Sequence, residues 1–143
     1  MSSLNRLEAK ISQNEIGKLY DSKAWFYDLW AYFTESKARD RTLELAKISD
    51  NQSILEVAVG TGLMFSEILK INPNGKNKGI DISIGMLSKA KERLSRQKND
   101  NYTLCMGSAF KLDEEDKSVD ILVNNYMFDL IPFNKMDSII IEF

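Results

Sequence analysis

One stretch restricts the fold of this chain more than any other. Ser53-Ile54-Leu55-Glu56-Val57-Ala58-Val59 is a short, apolar, β-branched run that ends on Gly60-Thr61-Gly62 and passes into a helical pattern. A run of this length and residue choice, bounded by glycine, reads as a buried strand. The glycines let the backbone turn tightly and come close to a ligand with no Cβ in the way. The helix that begins near Gly62 would present unpaired N–H groups towards that ligand. Downstream the hydrophobic period keeps switching. Residues 63–71 are helical and stop at Asn72-Pro73-Asn74-Gly75, and residues 78–82 form a second short strand. Ser83 can cap a helix over 84–96 with Met86, Leu87, Ala90 and Leu94 on one face. Strands over 102–106 and 119–124 and a helix over 134–143 follow. Strands alternating with helices of this length indicate an α/β fold with a parallel sheet and flanking helices. Right-handed crossovers then put ligand chemistry at the carboxyl ends of the strands.

Upstream of the sheet, residues 4–18, 20–33 and 36–48 carry three looser helical patterns. The expected organisation is a helical lead-in and cover over residues 1–50 and a ligand-binding α/β domain over 51–143. The chain has 143 residues and a net charge of −2, with no basic stripe of the kind nucleic-acid binders show. No apolar run approaches the roughly 20 residues that span a bilayer. The first residues lack the apolar core of a signal peptide. Cys105 is the single cysteine and cannot close an internal disulfide, so a cytoplasmic protein is expected. There are no histidines, which removes imidazole as a base, a nucleophile's partner or a metal ligand. No metal site is expected. The acidic stretch from Asp113 to Asp116 reads as a solvated turn, and Cys105 as packing in a strand.

Nineteen residues after Gly62 comes Asp81, at the end of the second strand, where a carboxylate can accept both hydrogen bonds of a ribose diol. Two ligands fit a glycine turn followed by such an acid: a dinucleotide, or S-adenosylmethionine. The dinucleotide pattern asks for a third glycine, and the two candidate places hold Phe65 and Leu63. Glu56, within an apolar strand, suits a ligand whose amino-acid end carries an ammonium and a sulfonium. An unpaired buried carboxylate is costly, so Glu56 should have a partner in the protein or the ligand.

The run from Ile54 to Gly62 resembles motif I of class I S-adenosylmethionine-dependent methyltransferases. Gly79-Ile80-Asp81-Ile82-Ser83 is similar to their second-strand motif and Met86-Leu87-Ser88-Lys89-Ala90 to the helix after it. Gly107-Ser108-Ala109-Phe110-Lys111-Leu112 resembles their adenine-binding turn, and residues 119–124 their fourth-strand motif. Tyr20-Asp21, Ala24 and Tyr27-Asp28 resemble the lead-in of the ubiquinone/menaquinone C-methyltransferase-like branch.

The resemblance implies a Rossmann-like fold, S-adenosylmethionine as cofactor and direct methyl transfer to a small, partly apolar acceptor. It implies that Ala58, Gly60 and Gly62 line the methionine end of the cofactor and that Glu56 orients its amino group. Asp81 would hold the ribose, with Ile82 and Met86 near the adenine and Ser108 and Ala109 at its edge. Asn124 would face the transferring methyl, and Tyr20 and Tyr27 would belong to the cover. Ala58 stands where the family often has glycine, and Ser108 where it usually has Asp; the second change implies a weaker hold on adenine. No spacing singles out a catalytic residue; Asp28, Tyr126 and Asp129 are candidate bases. Met127, Phe128, Leu130 and Ile131 would suit the apolar acceptor.

The family's sheet has seven strands in the order 3-2-1-4-5-7-6, and four are legible here. The expectation is therefore an incomplete, C-terminally truncated domain whose fourth strand is an open edge, prone to self-association or to pairing with a partner chain. The alternative to an active enzyme is a cofactor-binding or assembly module, or a gene fragment, that needs a partner to complete the sheet.

Overall fold

The computed structural model describes residues 36–97 and 99–143. The helical patterns expected over 4–18 and 20–33, with Tyr20, Tyr27 and Asp28, lie outside the described residues. The elements in chain order are α1 (Ser36–Ala46), β1 (Ser53–Val57), α2 (Leu63–Ile71), β2 (Lys76–Asp81), α3 (Ile84–Leu94), β3 (Tyr102–Met106), β4 (Ile121–Asn124), a 3₁₀ turn (Phe128–Leu130) and α4 (Phe133–Glu142). Several bounds differ from expectation, three of them with a direct cause in the sheet. β1 stops at Val57 and not Val59, because Ala58 takes a left-handed backbone, φ +62°, and turns the chain out of the sheet. β2 begins two residues early, where Lys76 and Asn77 pair with Ser53 and Ile54. β4 begins at Ile121 and not Val119, since its ladder with β1 opens at Ile54–Ile121.

All four strands are parallel, in the order β3-β2-β1-β4. β1 is central: Glu56 is level with Gly79 on one side and Val123 on the other. Successive residues of a strand face opposite sides, and the two cores follow from that. Ile54 packs with Phe65, Ile68 and Leu69 of α2, Leu94 of α3 and Val123, with Leu43 of α1 against the cluster. Leu55 and Val57 face the other way and pack with Ile80, Met127 and Ile139 of α4. The result is three layers, with α1, α2 and α3 on one face of the sheet and α4 on the other. Phe65, where a dinucleotide fingerprint would need glycine, is fully buried and meets Tyr102 edge-on at 6.1 Å between ring centroids.

Gly60 and Gly62 both adopt positive φ, +55° and +78°. They serve different ends. A Cβ on Gly60 would meet open space, whereas one on Gly62 would lie 3.1 Å from Ala90 Cβ. Gly62 thus lets the start of α2 pack against α3, while Gly60 keeps its backbone bare. Ser83 caps α3 as expected, its Oγ accepting from Met86 N at 3.1 Å. At the opposite end of the strands, buried Asn72 and Asn77 bond each other at 2.9 Å and fasten the α2–β2 turn to Gln52 and Asn101. No described helix is long and apolar enough to cross a membrane.

Candidate functional site

The loops leaving the carboxyl ends of the four strands converge on one cleft. It opens beside the switch point where the chain, having moved outward from β1 through β2 to β3, returns to place β4 on the other side of β1. Open parallel sheets bind ligands at such a point because loops diverge there and leave a crevice. From the β1 turn come Glu56, Ala58 and Gly60, and from the β2 end Asp81, Ile82 and Met86. Ser108 and Ala109 enter after β3, and Asn125, Tyr126 and Met127 after β4.

Asp81 organises the turn. Its Oδ2 accepts from Gly60 N at 2.8 Å and its Oδ1 from Ser83 N at 2.8 Å, and the residue is 8% exposed. One carboxylate therefore fixes both the glycine turn and the cap of α3.

Glu56 is the second acid. It is 2% exposed, and its Oε2 has no hydrogen-bond partner among the described residues. Burial, reinforced by the nearby negative charge of Asp81, pushes its carboxyl well above the ordinary range. Such a group gains most from a ligand that brings a positive charge.

The floor and walls are mixed. Met86 is buried and Ile82 half-buried, both lining the cleft beside Ser108 and Ala109. The Ser108 hydroxyl accepts from Phe110 N at 3.2 Å, so it shapes its own turn. Met127, Leu130 and Ile131 supply an apolar wall, as their position after β4 suggested. Phe128 is turned away and lies edge-on to Phe143 at 6.3 Å.

Ten of the twelve anticipated positions are described, and eight of these line the cleft: Glu56, Ala58, Gly60, Asp81, Ile82, Met86, Ser108 and Ala109. Gly62 and Asn124 do not. Gly62 is taken up by the α2–α3 contact. Asn124 donates to Val57 O at 2.9 Å and to Met127 Sδ at 3.5 Å, closing the β1–β4 end. Its neighbours Asn125 and Tyr126 reach the cleft instead. Of the candidate bases, Tyr126 lines the cleft and Asp129 does not. No group of acids and thiols suited to a metal ion occurs among the described residues. Glu114 of the acidic turn pairs with Lys78.

Sequence reasoning missed Arg39 and Thr42. Residues 39, 42, 43 and 46 are the half-buried positions of α1, a helical stripe facing inward. Of the apolar residues that suggested the helix, Ala38 and Leu45 face solvent, whereas Leu43 and Ala46 lie on the stripe. Thr42 Oγ1 bonds Asn125 Oδ1 at 3.2 Å, and Arg39 lines the cleft. A charged residue on an inward stripe is the signal that could have marked it.

Comparison with known proteins bears on what fills this cleft. A family model described as a methyltransferase domain matches residues 48–138. A demethylmenaquinone methyltransferase of Lactococcus lactis is 28% identical over 127 residues, covering 85% of this chain and 50% of that protein. A malonyl-[acyl-carrier protein] O-methyltransferase of Ilyobacter polytropus is 28% identical over 123 residues, covering 86% of this chain and 45% of its own length. The chain thus spans about half the length of the curated relatives it matches. Among solved structures, the magnesium protoporphyrin IX methyltransferase of Synechocystis, with bound SAH, superposes with a TM-score of 0.75 at 12% identity. That match covers 90% of this chain and 65% of the other, and it is a likeness of fold.

Proposed function

The chain belongs to the methyltransferase-domain family, and from that premise we propose that its cleft binds S-adenosylmethionine for methyl transfer to a small, partly apolar acceptor. The observation that carries the reading is the orphaned Oε2 of Glu56 beside the bare backbone of Gly60, in a cleft that also holds Asp81. A cationic amino-acid end and a ribose diol fit these acids, and a pyrophosphate does not. The cofactor, when bound, supplies a methyl group activated on a sulfonium.

The residues divide the work. Glu56 receives the ammonium, and Ala58 and Gly60 run alongside the methionine chain. Asp81 takes the ribose hydroxyls while holding the Gly60 and Ser83 amides. Ile82 and Met86 enclose the adenine, with Ser108 and Ala109 at its edge. Ser108 in place of an acid gives the adenine amino group a weaker acceptor. Asn124 acts behind the methyl region by fixing the turn that presents Asn125 and Tyr126. Gly62 contributes through the placing of α2.

Displacement at a sulfonium needs in-line alignment and exclusion of water, which a pre-formed cleft provides. Met127, Leu130 and Ile131 form the acceptor's apolar side. Residues 1–50 act as a cover over the 51–143 domain, a division supported by α1 meeting the cleft through Arg39 and Thr42. The names of the two relatives suggest the first acceptors to try, a demethylmenaquinone and a malonyl thioester on acyl-carrier protein. Incubation with methyl-labelled S-adenosylmethionine and each acceptor should move label into one of them, and Asp81→Ala should lower the rate at least tenfold. Cofactor binding without transfer to any acceptor would favour the second reading, a binding or assembly module whose β4 edge recruits another chain. A partner is suggested by that edge, since β4 pairs only with β1 among the described residues.

A further inference from the structure

The two acids of the cleft are held in opposite ways. Asp81 spends both oxygens on backbone N–H donors, Gly60 N and Ser83 N, contacts that favour a charged carboxylate. Glu56 is 2% exposed, and its Oε2 has no hydrogen-bond partner among the described residues. Of the pair, Glu56 is therefore the one on which a proton rests more easily, and the fixed charge of Asp81 adds to the effect of burial. Besides Glu56, the groups lining the cleft that titrate or carry charge are Asp81 from β2, Arg39 from α1 and Tyr126 after β4. Among the described residues α2, α3, β4 and the loop after β3 bring only uncharged ones to it. No ion pair joins Arg39 to Glu56. The chain also has no histidine, so no side chain of ordinary pKa changes charge between about pH 5 and 7.

We propose that the ligand-free chain keeps Glu56 as the carboxylic acid and that the ammonium of the bound cofactor expels this proton, so that the cleft exchanges one positive charge for another. This rests on the reading of the cleft as an S-adenosylmethionine site. The O–H bond of the Glu56 carboxyl breaks, its electron pair stays on oxygen, and the proton leaves to solvent. The ammonium then donates to the bared carboxylate, and the charge of the buried site is the same before and after. Burying the ligand's cation thus costs less than it would in a neutral pocket, and the empty cleft never holds two unpaired carboxylates. The consequence is regulation: acid competes with the cofactor for Glu56, and cofactor affinity follows pH in a window where the rest of the chain is silent.

The test counts the proton. S-adenosylhomocysteine, whose α-ammonium keeps its own proton below about pH 7, is titrated calorimetrically against the wild-type chain and Glu56→Gln from about pH 5 to 6.5, in buffers of different ionisation enthalpy. For the wild type we expect affinity to rise about tenfold per pH unit at the acid end of this range, with up to one proton released per ligand bound. Glu56→Gln should bind with no slope and no proton. The infrared carboxylic-acid band of the ligand-free wild type should vanish on binding and be missing from Glu56→Gln, a readout that holds even where the variant binds weakly. A carboxylate of ordinary pKa, about 4.3, is already ionised across this range. Flat affinity without proton release would therefore overturn the proposal and leave the cofactor site standing. A slope that persists in Glu56→Gln would overturn it too, because the proton would then belong to another carboxyl. Failure of S-adenosylhomocysteine to bind the wild-type chain at any of these pH values would overturn both this proposal and the reading beneath it.

Discussion

At the scale of single residues, the cleft is built around groups that the folded chain leaves in uncomfortable states. Ala58 has φ +62° and Tyr126 φ +57°, left-handed backbones that side chains with a Cβ rarely adopt. Glu56 is buried with an oxygen unsatisfied, and its pKa is raised by burial first and by Asp81 second. The sign of the resulting pH dependence follows. The folded chain keeps the Glu56 proton above the ordinary carboxylate range, where the unfolded chain has already lost it. The stability contribution is therefore present at acid pH and is lost as pH rises through the elevated pKa. Glutamine does not titrate. Glu56→Gln should thus be more stable than wild type by about 1–3 kcal/mol at neutral pH, with the two proteins converging in mild acid. Urea unfolding at both pH values checks this, and a variant less stable at neutral pH would show that Glu56 is satisfied without ligand. The same variant should lose cofactor affinity. Glu56 and Asp81 were legible in the sequence because acids in apolar, strand-like runs stand out. Arg39 was not, since its place on an inward stripe depends on the rotation of α1, which apolar residues on both faces, Leu43 and Ala46 inward and Ala38 and Leu45 outward, leave undecided.

At the scale of elements, the strands and the helices between them were read well because each has one strong cause. Leu63–Ile71 and Tyr102–Met106 match their expected bounds, the first ended by Asn72-Pro73 and the second set by its alternation. Boundaries slipped where a ladder partner and not local composition decides, as at Lys76 and Ile121. The 3₁₀ turn over Phe128–Leu130 was not foreseen, because its only local sign is the Pro132 that follows. Gly62 shows an element-level role that a motif conceals. Its signature placement suggested cofactor contact, yet an added Cβ would press on Ala90 of α3 at 3.1 Å and its φ is +78°. Gly62→Ala should therefore destabilise the chain by about 1–3 kcal/mol, combining overpacking with left-handed strain. Gly60→Ala should carry the backbone strain alone. Comparison of their thermal midpoints measures the difference, and equal losses would mean that α2 and α3 yield without penalty.

At the scale of the whole molecule, the parallel order β3-β2-β1-β4 gathers every strand's carboxyl end on one side and places there the turn, the acids and Arg39 of α1. The opposite end carries the buried Asn72–Asn77 network, which braces the strands and lines no part of the cleft. On the face covered by α4, Ile140 and Ile141 are 62% and 85% exposed, adjoining the sheet face that Ile139 fills. Sequence periodicity identified α4 but could not show how much of its apolar surface the sheet would cover, because coverage depends on neighbours. The cleft does not depend on that surface, and its ligand can be tested directly. Calorimetric titration of the chain with S-adenosylmethionine, beside Asp81→Ala and an NAD control, is the decisive measurement. We expect binding in the micromolar range, weakened at least tenfold in the variant, with no heat from NAD. A folded chain that binds NAD, or that binds S-adenosylmethionine equally well without Asp81, would contradict the assignment of the cleft.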